Sequence, residues 1–243
     1  MPVESLVAAV LVLSVAAFVQ SVSGFGMALV ATSALPLVMP LHEAIALVSV
    51  FNLFVSAVTL WHNRVAFSWQ EAWPILLCMC AGIPVGFFFL HATDAGLMIR
   101  VLGLVLVAIA LFDLRFSPKS DYRLPGWSVI PLGLAGGVAG GAFNVGGPPV
   151  VAYVYSQNWE KARNVAVLQT VFLAGGLTRN ALMGAAGDYS RGLFVVTVWA
   201  VIPAALAIAL GKRLLECIPK QRLRTGVFLF VLLMGAKYLV LGS

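Results

Sequence analysis

Residues 124–159 read LPGWSVIPLGLAGGVAGGAFNVGGPPVVAYVYSQNW, and residues 5–41 read SLVAAVLVLSVAAFVQSVSGFGMALVATSALPLVMPL. Neither stretch, of 36 and 37 residues, contains an Asp, Glu, Lys or Arg. A single helix of that length would run roughly 55 Å at about 1.5 Å per residue, nearly twice the roughly 30 Å of hydrocarbon in a bilayer. Each stretch must therefore fold back. The turn is expected at Ser21, Val22, Ser23, Gly24, Phe25 and Gly26 in the first stretch and at Asn144, Val145, Gly146, Gly147, Pro148 and Pro149 in the second. Two interrupted apolar segments at corresponding places in two halves are the pattern of a membrane substrate site.

Composition agrees with a membrane setting. Hydrophobic residues make up 61% of the 243, charged residues 10%, and the mean hydropathy is +1.01. A soluble core cannot hide that much apolar surface. The expectation is one membrane domain over residues 1–243, with the N-terminal apolar segment retained because it lacks a basic leader and is too long for one. The formal charge of +6 excludes little by itself. In this composition it reads as basic loops at an anionic membrane face, not as a nucleic-acid surface. Cys78, Cys80 and Cys217 have no metal-like spacing and read as reduced packing residues, with no metal or cofactor implied.

Apolar runs bounded by charge define five segments in each half: 5–20, 27–40, 44–61, 72–90 and 95–113, then 128–142, 149–158, 164–185, 192–211 and 225–242. The second of each set is short and suits a half-helix. The first repeat spans residues 4–114 and the second 128–243, joined by a polar connector at 115–127. Ile83 and Pro84 match Ile202 and Pro203, 119 residues later, and Asn52 matches Gln169, 117 residues later.

Loop charge decides the topology. If the second stretch returns to its starting side, Arg64, Arg115, Lys119, Arg123, Lys161, Arg163, Lys212, Arg213, Lys220, Arg222 and Arg224 share one side, and only Arg191 lies opposite. If it crosses once, the same twelve divide five against seven. The positive-inside rule favours the return, with basic loops cytoplasmic. Five segments per half then make the repeats inverted. The predicted fold is an all-α integral membrane protein of two inverted repeats whose broken first helices meet mid-membrane.

A glycine turn opening a short helix presents backbone N–H groups and the positive end of a helix dipole, a setting that favours an anion. Ser21, Ser23, Gly24, Phe25 and Gly26 at the first turn, and Asn144, Gly146, Gly147 and Pro148 at the second, are the candidate substrate-binding residues, with Asn52 and Gln169 reaching in from the next helices. Phe143 and Tyr153 are candidate walls. Arg179 is read either as drawing an anion into the pathway or as snorkelling to the interface. Arg100 reads as structural, with Asp94 nearby. Gly133, Gly136, Gly137, Gly140 and Gly141, spaced at threes and fours, read as helix-packing positions.

The Gly-Phe-Gly turn at 24–26, the Gly-Gly-Pro-Pro turn at 146–149 and the two-half layout resemble the TauE/SafE family, the sulfite exporters and toluenesulfonate permeases. The resemblance covers essentially the whole chain. It implies transport of sulfur-containing anions such as sulfite, sulfoacetate or aromatic sulfonates across the bacterial inner membrane; a proton or a sodium ion is the candidate coupling ion, which the sequence does not decide. Beyond the bilayer and the anion, no partner is implied, and the oligomeric state is left open. Met27 and Ala28 follow the first turn where many members continue with glycine, which makes substrate identity a matter for experiment. The alternatives are an anion channel, a carrier of another small organic anion, or a non-transport structural subunit. An enzyme is disfavoured, because the histidines lie at segment ends and no nucleophile–base or metal motif occurs.

Overall fold

The computed structural model describes residues 3–23, 26–115, 123–214 and 220–242. Gly24, Phe25, most of the connector (116–122) and Cys217 lie outside the described residues. Within them the chain forms helices α1 (Val3–Ser23), α2 (Met27–Ala34), α3 (Leu41–Asn63), α4 (Trp69–Ala92), α5 (Ala95–Arg115), α6 (Val129–Phe143), α7 (Gly147–Ser156), α8 (Lys161–Ala186), α9 (Arg191–Leu214) and α10 (Lys220–Leu241), and no strand. All ten expected segments are present. Eight helices are long and apolar enough to cross a membrane, while α2 and α7 have only 8 and 10 residues.

The apolar surface is turned outward as a lipid-facing protein requires. On α9, Val198, Trp199, Ile202 and Leu206 are exposed, and on α4 so are Leu77, Val85 and Phe88. In water such a surface would be an aggregation liability; in hydrocarbon it costs nothing.

The chain divides into two compact units. The first comprises residues 1–48, 93–115 and 187–243. In it α1 packs on α9, α5 packs on α10, and α2 lies against α1 and α10. A side chain on Gly103 would place its Cβ 2.7 Å from the Gly235 carbonyl oxygen, so α5 and α10 cross with their backbones nearly touching. Arg224 and Asp113 pair at one end of that crossing, with 2.9 Å between Nε and Oδ2. Asp94 accepts the Leu97 N–H at 2.9 Å and so caps the start of α5.

The second unit comprises residues 49–92 and 116–186. Here α4 packs along α6, and α8 packs on α4 and α7. The glycines of α6 divide between two faces. Gly133, Gly137 and Gly141 meet α4 at Cys78, Met79 and Ile83, opposite Gly82 and Gly86, where a Cβ on Gly82 would lie 2.6 Å from the Leu134 oxygen. Gly136 faces the other way, against Gly146 and Val150, and Gly140 lies between Gly146 and the Met79 methyl of α4. The first face lets two long helices approach without side chains, and the second lets α7 fold back onto α6.

That return is closed at its base. The Leu124 N–H donates to Ser156 Oγ at 3.4 Å, and Gln157 Nε2 donates to the Leu124 carbonyl at 3.2 Å. Residues before α6 and after α7 therefore meet on one side, as the fold-back of the second stretch requires.

Both turns are tighter than expected. Ser21 and Ser23 remain in α1, and Pro148 and Pro149 belong to the first turn of α7. The described part of α1 reaches Ser23 and α2 begins at Met27, and residues 144–146 alone join α6 to α7. Gly26 has φ 101° and Asn144 φ 64°, left-handed conformations that reverse the chain in a few residues.

Candidate functional site

In the second unit, helices α3, α4, α6 and α8 and the start of α7 enclose a pocket of about 30 Å³ lined by Asn52, Met79, Ile83, Gly140, Asn144, Gly146, Gly147, Phe172, Gly175, Gly176 and Arg179. That is room for two or three water molecules. Its one charged lining residue is a cation.

Arg179 decides the electrostatics. It sits seven residues before the end of α8, yet is only 1% exposed, so it does not snorkel. Its Nη1 donates to the Gly140 carbonyl, and its Nη2 donates to the Ala142 carbonyl at 3.3 Å. Both carbonyls lie in the last turn of α6: Gly140 O also accepts the Asn144 N–H at 3.0 Å, while Ala142 O is among the last four carbonyls that a helix leaves without an intrahelical partner. The guanidinium thus caps α6 with the charge its dipole favours and keeps a positive group at the break.

Asn144 holds the break. With positive φ it terminates α6 in the left-handed conformation that asparagine tolerates better than most residues, and its N–H bonds Gly140 O at 3.0 Å. Its side-chain Nδ2 is buried and meets no hydrogen-bond acceptor among the described residues. An unmet buried donor at a pocket wall is costly unless a ligand supplies the acceptor. Gly147 begins α7 beside it, and the two prolines that follow carry no N–H. The expectation of a row of free amides at this helix end is therefore corrected. The polar donors that line the pocket are the Arg179 guanidinium and the Asn144 amide, not a full helical turn of N–H groups.

Of the other sequence candidates, Asn52, Gly146 and Gly147 line the pocket, while Gln169 and Pro148 are buried outside its wall. Phe143 and Tyr153 do not line it; the aromatic wall is Phe172. Asn180 holds α8 to α3, its Nδ2 donating to Ser49 Oγ at 2.9 Å.

The first break belongs to the other unit and is built differently. The Met27 N–H that opens α2 donates to the side-chain oxygen of buried Gln20 at 3.2 Å. Ser21 Oγ donates to Phe18 O at 2.8 Å and packs against Gly211 of α9. Ser23 ends α1, Gly26 precedes α2, and Gly24 and Phe25 lie outside the described residues.

The sequence reading missed Met79, Ile83, Phe172, Gly175 and Gly176. The adjacent Gly175 and Gly176 in the middle of an apolar run were the available signal. The others are ordinary apolar residues whose role depends on which helices meet.

Eight apolar helices, a broken helix turned back inside its unit and a small cationic pocket at the break define a multi-pass membrane transporter. Comparison with known proteins agrees: the family model of the sulfite exporter TauE/SafE matches residues 9–238. The chain belongs to the TauE/SafE family, a transporter family. It is 26% identical over 203 residues to a Cupriavidus necator protein named "Probable sulfite/organosulfonate exporter TauE", covering 81% of this chain and 78% of that one. No solved structure matches.

Proposed function

We propose that the protein carries small sulfur-containing anions, sulfite or organosulfonates, across the bacterial inner membrane, and that the pocket of the second unit is where the anion rests. The observation that carries this is the buried guanidinium of Arg179 beside the unmet Asn144 donor. A sulfur oxyanion offers several acceptor oxygens and a delocalised negative charge, which such donors satisfy together. The name of the Cupriavidus necator relative points to the same substrate class.

Transport by alternating access follows as part of the proposal. The exchange of helices between units supports an inverted-repeat origin: α1 of the first half packs on α9 of the second, and α4 of the first packs on α6 of the second. Those pairings interchange when the first segment of one half takes the place of the first segment of the other. Prolines lie inside both α4 and α9, at Pro84 and Pro203.

Proteoliposome uptake of labelled sulfite, sulfoacetate, taurine, sulfate and an aromatic sulfonate, with pH and sodium varied separately, is the test. At least one sulfur anion is expected to accumulate above protein-free liposomes. If none does, the substrate assignment is wrong. Step-like single-molecule currents in a planar bilayer would identify a channel instead of a carrier.

A further inference from the structure

The three carbon-rich walls of the pocket are not equivalent. Ile83 and Phe172 are stiff side chains, whereas Met79 reaches from α4 into the space that two glycines leave open on facing helices. A Cβ on Gly140 of α6 would lie 3.4 Å from the Met79 methyl carbon, and one on Gly175 of α8 would lie 3.2 Å from it. The thioether methyl therefore lies between Gly140 of α6 and Gly175 of α8, in the wall of the pocket that Arg179 also lines.

We propose that Met79 is the specificity-determining residue of this transporter: it sets the depth of the pocket and so limits the anion to a compact head with little or no organic tail. This rests on the pocket being the anion site. Two or three waters' worth of room suits an inorganic oxyanion or the head of a short sulfonate better than an aryl ring. Each extra carbon must then displace the thioether. Discrimination of about tenfold or more per step of tail length is the scale set by one methylene in an apolar pocket.

Two substitutions move the wall in opposite directions. Met79→Ala strips the plug back to its Cβ and lengthens the pocket. Gly175→Ala adds a methyl 3.1 Å from Ile83 Cδ1 and 3.2 Å from Met79 Cε, and because Gly175 itself lines the pocket the methyl takes up pocket space. The lipid-exposed Leu77→Ala on the same helix controls for general loosening of α4.

The experiment measures ligand-induced thermal shift and uptake competition for two series of rising size: sulfite, methanesulfonate, ethanesulfonate and benzenesulfonate, and formate, acetate, propionate and benzoate. In the wild type, apparent affinity falls with tail length. In Met79→Ala the fall is flattened by about tenfold or more for the bulkiest member, in Gly175→Ala it steepens, and in Leu77→Ala it keeps the wild-type order. A flat wild-type series, or a Met79→Ala protein whose affinity falls with tail length as steeply as the wild type's, overturns the proposal. If Met79→Ala does not fold, the steepening in Gly175→Ala decides. Size ordering in the carboxylates with no response to any sulfur anion would leave the depth limit standing and remove the sulfur assignment. No response to either series removes both.

Discussion

The two breaks look alike as sequence and differ in chemistry. At the first, the Met27 N–H is already taken by Gln20, and the neighbouring hydroxyl of Ser21 bonds its own helix. At the second, two prolines remove helical donors, while Arg179 and Asn144 bring in a fixed cation and an unmet amide. The same geometric device thus opens a short helix whose first N–H is taken by a side chain in one unit, and lines a pocket with a cation and an unmet amide in the other. A helix end is only as attractive to an anion as the donors it has left over.

That contrast can be broken most directly at Arg179. Arg179→Gln is expected to lower anion uptake by about 100-fold or more, because hydrogen bonds to a charged group contribute about 1.5–3 kcal/mol each and the charge itself is lost. Uptake kinetics with quantified membrane protein would check it. A variant within threefold of wild type would place the anion elsewhere.

Asn144→Gly separates backbone from side chain. Glycine accepts the positive φ, so folding is retained, while the lost Nδ2 donor should weaken apparent affinity about tenfold. Equal affinity in a binding isotherm would mean that the amide only ends the helix.

Gln20→Ala is expected to do the reverse. Loss of a side-chain cap costs about 1 kcal/mol of stability, seen as a lower melting temperature, with apparent KM changed by less than about threefold. A KM effect as large as that of Asn144→Gly would erase the asymmetry between the breaks.

The smallest effect is expected from Pro149→Ala. It restores one N–H to the first turn of α7 and should tighten anion binding by about two- to fivefold, the range of a single helix-end interaction. A loss of binding would show that the ring, not the missing donor, matters there.

Much of the fold was legible because membrane helices announce themselves locally. Hydrocarbon thickness sets how long an apolar run can be, and glycine marks where one too long must turn, so all ten segments and the return of residues 124–159 followed from counting. The paired spacing of Gly133, Gly137 and Gly141 likewise foretold a face fit for close packing. The second turn was drawn too wide because α6 persists until Asn144 takes a left-handed conformation, and α7 already begins at Gly147.

The site was legible in part. Asn144, Gly146, Gly147, Asn52 and Arg179 were marked as polar or glycine residues inside apolar runs, and a buried polar group needs a reason wherever it occurs. Whether Arg179 would snorkel or turn inward was undetermined, since a residue seven positions from a helix end can do either. Met79, Ile83 and Phe172 carried no mark, because an apolar side chain looks the same whether it faces lipid, a neighbouring helix or a substrate. The chain alone determined that helices form and where they break, and it carried the expectation of an anion site. Which helices meet, which carbonyls Arg179 caps and which methyl closes the pocket were decided by tertiary packing, because those contacts join residues tens of positions apart and depend on faces that hydropathy cannot tell from one another.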